Sequence, residues 1–115
     1  SSAASDVYKR QILVTKLMLG YYDVTKIKNP KLRHYMVRYL EIMMTVTSIL
    51  AIRSETEENL KKKKELWQYL KQQNFTLYMR LRWGFLGQGV NLPGKGGRKV
   101  SIACYKISQK FYGFN

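Results

Sequence analysis

The sequence predicts an all-α fold, a small bundle of about five helices with a loop rich in Gly and Pro before the last one. Apolar residues recur every three or four positions in five segments, which is the spacing of a helix face. Residues that typically begin helices precede three of these segments, and no two segments show the alternation expected of paired strands. The 115 residues suit one small domain.

Residues 1–11, SSAASDVYKRQ, match the translation of a DNA adapter used to prepare sequencing libraries, residue for residue. Such segments are set aside before fold reasoning. We therefore expect the natural sequence to enter at about Ile12, as part of a longer protein.

The first predicted helix spans about Ile12 to Asp23. Its apolar density predicts burial, with a packing partner that lies partly outside this chain. The residues predicted to share its buried side are Leu13, Leu17, Met18 and Tyr21.

The second helix is predicted to begin at Asn29-Pro30, with Asn as the N-cap and Pro at the first helical position. It should end near Arg53. Its apolar run, Ile42 to Ile52, is too short for a membrane span of roughly 20 residues, so it predicts a buried helix. One apolar stripe is predicted to contain Leu32, Met36, Tyr39, Met43, Val46 and Leu50.

Ser54-x-x-Glu57 has the pattern of a capping box and predicts the start of the third helix. Two glutamates, Glu57 and Glu58, stand four positions before Lys61 and Lys62, a spacing that favours ion pairs. The run from Lys61 to Lys64 is therefore interpreted mainly as a solvated face. The buried side is predicted to consist of Leu60, Trp67 and Leu70, widened by Leu66 and Tyr69.

Asn74 is expected to cap a fourth helix, from Thr76 to about Leu86, on which Leu77, Leu81 and Phe85 repeat every four residues. Six Gly or Pro between positions 87 and 97 predict a loop. A last helix, about Arg98 to Tyr112, should place Val100, Ala103, Cys104, Ile107 and Phe111 on one side.

The chain is strongly basic, with 21 Lys and Arg against seven acids and a formal charge of +14. Setting aside Lys9, Arg10 and Asp6 of the adapter-like segment lowers this charge only to +13. From Lys61 onward, twelve basic residues face the single acid Glu65. This asymmetry indicates an anionic partner.

No catalytic, cofactor or metal site is predicted within this chain. His34 is the only histidine and has no Cys or carboxylate at ligand spacing. Cys104 is the only cysteine, which excludes an internal disulfide and favours a reducing, intracellular setting. The segment from Gly89 to Gly96 approaches a phosphate-binding P-loop but lacks its Ser or Thr and its preceding strand.

The candidate contacts for an anion or a membrane are the basic residues of the last part of the chain. Some could hold an anion at the start of the last helix, and all are interleaved with aromatic residues. This combination suits a helix on an anionic bilayer and equally suits single-stranded nucleic acid; a purely structural tail is the third reading. The candidates are Arg80, Arg82, Lys95, Arg98, Lys99, Lys106 and Lys110.

Several stretches resemble the C-terminal region of family-2 glycosyltransferases from gut Firmicutes. They are 64–71 (KELWQYLK), 77–82 (LYMRLR), 91–99 (NLPGKGGRK) and 105–115 (YKISQKFYGFN). Upstream, Tyr22-Asp-Val-Thr25 and the end of the second helix, Ala51-Ile-Arg53, look like the helical region that follows the catalytic domain in the same proteins.

The resemblance implies a GT-A catalytic domain outside this chain, which binds a nucleotide-sugar and a divalent metal through an Asp-x-Asp motif absent here. Residues 12–73 would form a helical scaffold behind that domain, and residues 74–115 a basic amphipathic tail. The expected partners are that GT-A domain and an anionic membrane surface or lipid-linked acceptor, with nucleic acid as the alternative. The expected location is cytoplasmic, peripheral on the inner face of the plasma membrane.

Overall fold

The computed structural model describes residues 2–93, with side chains from Tyr8 onward, and beyond them Lys99, Ile102, Ala103, Lys106, Gln109 and Lys110. Within the described part, the all-α prediction is confirmed and no strand is present. A short 3-10 helix, Val24–Lys26, follows the first α-helix. The α-helices are α1 (Ser2–Tyr21), α2 (Pro30–Ser54), α3 (Glu57–Gln73), α4 (Phe75–Trp83) and α5 (Phe85–Val90).

The six described positions after Pro93 are all helical and lie within the last helix predicted at 98–112. Of the apolar side predicted for that helix, Ala103 is exposed, and the other members lie outside the described residues: Val100, Cys104, Ile107 and Phe111.

Two predicted helix starts are confirmed. The Asn29 side chain accepts hydrogen bonds from the backbone N–H groups of Lys31 and Leu32, at 3.0 and 3.1 Å, and Pro30 begins α2. Asn74 accepts from the Leu77 N–H at 3.1 Å and caps α4. Both side chains satisfy N–H groups that have no partner within the first helical turn.

The predicted capping box at Ser54 is wrong. Ser54 is the last residue of α2, and its hydroxyl donates to the Ala51 carbonyl at 2.6 Å. Glu55 adopts the left-handed conformation, φ 56°, that ends many helices. Thr56 then caps α3 by accepting from the Asn59 N–H at 3.2 Å. The reversal between the helices needs residues 55 and 56, so the cap falls two residues later than predicted.

The predicted fourth helix, Thr76 to Leu86, is divided at Gly84, where an extended backbone (ψ 172°) separates α4 from α5. The predicted loop is also wrong at its start, since Gly87 and Gly89 lie within α5. A Cβ on Gly87 would overlap the Leu81 carbonyl oxygen. Glycine is therefore needed here for the close approach of α5 to α4, and not for a loop.

Most of the side of α1 predicted to be buried is exposed, and of its four members only Met18 packs partly buried against the core. Leu13, Leu17 and Tyr21 are 60%, 64% and 91% exposed, whereas Thr15 and Leu19 are buried. The helix begins ten residues before the predicted Ile12 and packs Tyr8 inward as well. The hydroxyl groups of Thr15 and Thr47 meet at 3.2 Å, so small polar residues bring α1 and α2 together.

The predicted stripe on α2 is also wrong, because Leu32 and Tyr39 are exposed and the other four members are only partly buried. Hydroxyl groups fill much of the buried side, and those of Thr45, Thr47 and Ser48 donate to carbonyls one turn earlier at 2.7–2.8 Å. Such bonds allow polar side chains to be buried. The buried residues are Val37, Leu40, Met44, Thr45, Thr47, Ser48, Ile49, Ala51 and Ile52.

By length and composition alone, α2 could cross a membrane, and it is the one helix of the described part that could. Half of the stretch concerned is buried in the protein, against α1, α3 and α5 among others. The core helix of a soluble protein passes the same test, so this finding is weak evidence for a span.

The buried side predicted for α3 is confirmed. Leu66, Trp67 and Leu70 are buried, and Leu60 and Tyr69 are partly buried against the same core. The Trp67 indole N–H donates to the Ser48 hydroxyl at 3.0 Å, which joins α3 to α2 through a buried hydrogen bond.

Asp23 joins the segment between α1 and α2 to the start of α4. Its carboxylate accepts from the Thr25 hydroxyl and N–H, at 2.5 and 3.0 Å, and from the Asn74 amide at 2.6 Å. These bonds, chiefly that from the Thr25 hydroxyl, lower the pKa of Asp23. The residue that caps α4 is thereby held to the segment between α1 and α2.

Candidate anion-contact surfaces

The outward side of α4 carries large apolar residues beside arginine. Phe75, Met79 and Trp83 stand four positions apart and are 58%, 42% and 56% exposed. Arg80 is exposed on the same helix, and the Arg82 guanidinium lies 4.5 Å from the Trp83 ring centre, a cation–π arrangement. We call Phe75, Met79, Arg80 and Trp83 the α4 aromatic face.

A second basic surface is a groove of about 570 Å³ between α3, α4 and the segment after α5. Among the described residues that line it, none is a carboxylate and four are cations: Lys63, Lys64, Lys71 and Arg82. The remaining lining residues are Leu60, Trp67, Gln68, Tyr78, Asn91, Leu92 and Pro93. We call this surface the cationic groove.

Lys63 occupies an apolar position of α3. It stands three residues after Leu60 and four before Trp67, so these three side chains share one side of the helix. Its ammonium group donates to the Asn91 side-chain oxygen at 3.4 Å. The Asn91 amide nitrogen donates in turn to the Gly87 carbonyl at 2.8 Å, which turns the amide oxygen towards Lys63. The end of α5 therefore helps to position the lysine.

Burial, followed by the positive charge of Arg82, lowers the pKa of Lys63 from 10.5 to about 8. Removing a charged group from water disfavours its charged form, and a like charge adds to the effect. No described carboxylate of the groove offsets either effect. Within the described part of the chain, the groove thus holds partly buried positive charge without a carboxylate counter-ion.

The wall of the groove is aromatic. The rings of Trp67 and Tyr78 meet edge to face, with centres 6.4 Å apart and planes at 74°. The Lys71 ammonium lies 5.5 Å from the centre of the Tyr78 ring. Because the Trp67 N–H is already bonded to Ser48, this wall offers apolar contact, and the polar contacts come from the cations and amides.

Of the seven candidates predicted from the sequence, the structure brings only Arg82 into the groove. Arg80 lies on the α4 aromatic face, and Lys99, Lys106 and Lys110 are exposed at helical positions. Lys95 and Arg98 lie outside the described residues.

Sequence reasoning missed Lys63, Lys64, Lys71 and Asn91. A signal for Lys63 was present, because Leu60, Lys63, Trp67 and Leu70 follow one another at steps of three, four and three. A lysine within such an apolar stripe indicates partial burial, although the sequence does not show what faces it.

An apolar groove of about 950 Å³ lies along α1 and the start of α2. Its only charged lining residue is Lys16. The exposed side of α1 forms much of it, and the lining residues are Leu13, Lys16, Leu17, Met18, Gly20, Tyr21, Tyr22, Val24, Met36 and Tyr69.

Within residues 8–93 and the six later described positions, no group of three or more His, Cys, Asp or Glu is placed to hold a metal ion. Comparisons with protein families, with characterised proteins and with solved structures give no match. The two basic surfaces are therefore interpreted from their own geometry.

Proposed function

We propose that this chain is a non-catalytic helical module of a family-2 glycosyltransferase, and that it holds the enzyme on an anionic membrane surface. The observation that carries the proposal is the α4 aromatic face, where exposed apolar side chains and arginine share one helix. Sugar transfer from a nucleotide-sugar, with its metal, belongs in this proposal to a GT-A domain outside the chain.

A bilayer surface suits this face for two reasons. Phe75, Met79 and Trp83 can enter the boundary between headgroups and acyl chains. Arg80 can remain at the level of the phosphates, and each basic residue near an anionic surface adds about 1 kcal/mol of attraction. The excess of positive charge after Lys61 orients this half of the molecule towards such a surface.

Single-stranded nucleic acid is the second candidate, since exposed aromatic rings beside arginine can stack on bases. The ring contacts favour it less. Phe75 already stacks on Tyr78, with centres 6.3 Å apart, and Arg82 covers the Trp83 ring. One side of each exposed ring is therefore occupied, whereas insertion into a bilayer needs no free stacking face.

In this proposal the catalytic domain packs on the apolar groove of α1 and α2. The groove has a single charged lining residue, Lys16, and several tyrosines. Depletion of charge and enrichment in aromatic residues are typical of the centre of protein interfaces. The apolar and the basic surfaces would then serve two different partners.

Vesicle flotation tests the membrane proposal. We expect the 115-residue chain to float with vesicles of phosphatidylcholine and phosphatidylglycerol, and to remain in the dense fraction with phosphatidylcholine alone. Replacing both Met79 and Trp83 by Ser should reduce flotation several-fold, because the inserted apolar area is lost. The matched control is the double variant Leu32→Ser, Tyr35→Ser, which removes similarly exposed apolar residues from α2.

Equal flotation with anionic and neutral vesicles would overturn the electrostatic part of the proposal. An equal loss in the test and control variants would overturn the assignment to α4. Tight binding to single-stranded RNA that weakens steeply with salt, without vesicle binding, would establish the second candidate instead.

A further inference from the structure

We infer that the cationic groove binds the phosphoryl or pyrophosphoryl group of a phosphorylated ligand, with Lys63 and Arg82 as its principal contacts. This site is separate from the membrane contact proposed for the α4 aromatic face. The inference rests on the charges that meet in the groove, on its shape and on the polar groups beside Lys63.

The first argument is the unbalanced charge. Elsewhere on α3, Lys62 is paired with Glu58 at 3.3 Å. In the groove, by contrast, Lys63 and Arg82 repel each other and face no carboxylate. Placing a lysine in a partly buried position beside an arginine costs stability. An anion between the two would remove that cost, and a group with two or more negative charges would neutralise both.

The second argument is the shape of the groove. A volume of about 570 Å³ lies within the range of small-molecule sites. The groove combines an apolar wall at Leu60, Trp67 and Tyr78 with the lining cations Lys63, Lys64, Lys71 and Arg82. A ligand with a charged group and a less polar remainder fits this combination of cations and apolar wall. The groove is a recess, which suits a small ligand. The α4 aromatic face lies on the outward side of a helix, which suits an extended surface.

The third argument concerns the polar groups. Arginine presents a planar set of N–H donors that matches phosphate oxygens, and lysine adds a compact charge. The Asn91 oxygen holds the Lys63 ammonium at 3.4 Å, and this bond is long enough to be exchanged for a shorter one to a phosphate oxygen. Gln68, which also lines the groove, offers a further side-chain amide.

Titration calorimetry with inorganic pyrophosphate tests the inference. We expect the unchanged chain to bind pyrophosphate, and Lys63→Met or Arg82→Gln to weaken binding about tenfold or more. Lys62→Met is the matched control, since it removes the same charge one position away and leaves the groove intact. Citrate serves as a carboxylate ligand of comparable charge.

Flotation of the same variants distinguishes a free phosphorylated ligand from a lipid headgroup. If the natural ligand is free, Lys63→Met should lose pyrophosphate binding and float as well as Lys62→Met. If it is a lipid-borne phosphate, Lys63→Met should also float less than Lys62→Met. Met79→Ser should keep its pyrophosphate affinity in either case, because Met79 lies on the α4 aromatic face and does not line the groove, so failure of the membrane proposal leaves this test intact.

Three results would overturn the inference. The first is that pyrophosphate does not bind and that Lys62→Met and Lys63→Met float equally. The second is an equal loss of pyrophosphate affinity in these two variants. The third is that citrate binds as tightly as pyrophosphate. Thermal unfolding of each variant is measured in parallel. Lys63→Met should fold at least as well as the unchanged chain, because it places an apolar side chain in a partly buried position.

Discussion

Lys62 and Lys63 are neighbours in the sequence and have opposite surroundings. Lys62 pairs with Glu58 one turn earlier, in a surface ion pair with an N–O distance of 3.3 Å. Lys63 points into the cationic groove, where its partner is the neutral Asn91 and the nearby charge is Arg82. Burial lowers the pKa of Lys63 to about 8.

The difference shows that adjacent lysines on one helix can have different surroundings and different partners. A helix turns by about 100° per residue, so adjacent members of a run face different environments. On α3 one side of the run is balanced by the glutamates of the first turn, and the other is enclosed by α4 and the segment after α5. The excess positive charge of the chain must therefore be assigned to particular surfaces as well as counted.

The largest expected effect comes from Trp67, because its indole belongs to the core and also forms a wall of the cationic groove. Trp67→Ala should lower the free energy of unfolding by about 3–5 kcal/mol. It removes a buried ring and leaves the Ser48 hydroxyl without its indole donor. Urea unfolding followed by circular dichroism measures the change.

Trp83→Ala is the matched control, since Trp83 is more than half exposed on the neighbouring helix. It should change stability by no more than about 0.5 kcal/mol. Similar losses for the two variants would show that the wall of the groove is not part of the core.

The elements of the fold could be predicted from the sequence, but the side that each helix buries was predicted less well. Asn29-Pro30 and Asn74 are local signals and mark real starts. On α1 and α2, apolar residues occupy nearly every side, so the spacing of Leu13 and Leu17 did not identify the buried one. The contact between Thr15 and Thr47 that orients these helices carries no apolar signal at all.

The cationic groove could not be predicted from the sequence for a related reason. Lys63 and Asn91 are 28 positions apart, and they meet because α4 breaks at Gly84 and α5 folds back through Gly87. Gly87, one of the glycines that predicted a loop, instead permits close helix packing. A composition count can predict an anionic partner, but it cannot place Arg82 beside Lys63.

The intermediate effect is a dependence of stability on pH that comes from Lys63. The folded chain holds Lys63 with a pKa of about 8, below the ordinary value of 10.5. Between these two pH values, Lys63 binds more protons in the unfolded chain than in the folded chain. Its contribution to the free energy of unfolding therefore rises with pH. The destabilising effect of this lysine is complete below pH 8 and is lost towards pH 10.5.

Lys63→Met should therefore stabilise the chain by about 1 kcal/mol at pH 7 and by clearly less at pH 10. Urea unfolding at the two pH values gives both differences, and groups common to the two proteins cancel. Lys62→Met provides the baseline, since it removes the same charge from the neighbouring position, where the lysine is paired with Glu58. A stabilisation by Lys63→Met that is the same at both pH values would contradict the partial burial of this ammonium group.

The smallest expected effect concerns the paired side of α3. Glu58→Gln removes the ion pair with Lys62 and one negative charge from the first turn of the helix. Exposed pairs of this spacing contribute about 0.2–0.5 kcal/mol, and the charge near the helix start adds a similar amount. We expect a loss below about 1 kcal/mol that shrinks as salt is raised, because both terms are screened. Pyrophosphate affinity should not fall, since Glu58 does not line the groove. A fall in that affinity would mean that the two sides of α3 are coupled, and that the paired Lys62 helps to form the site on the other side.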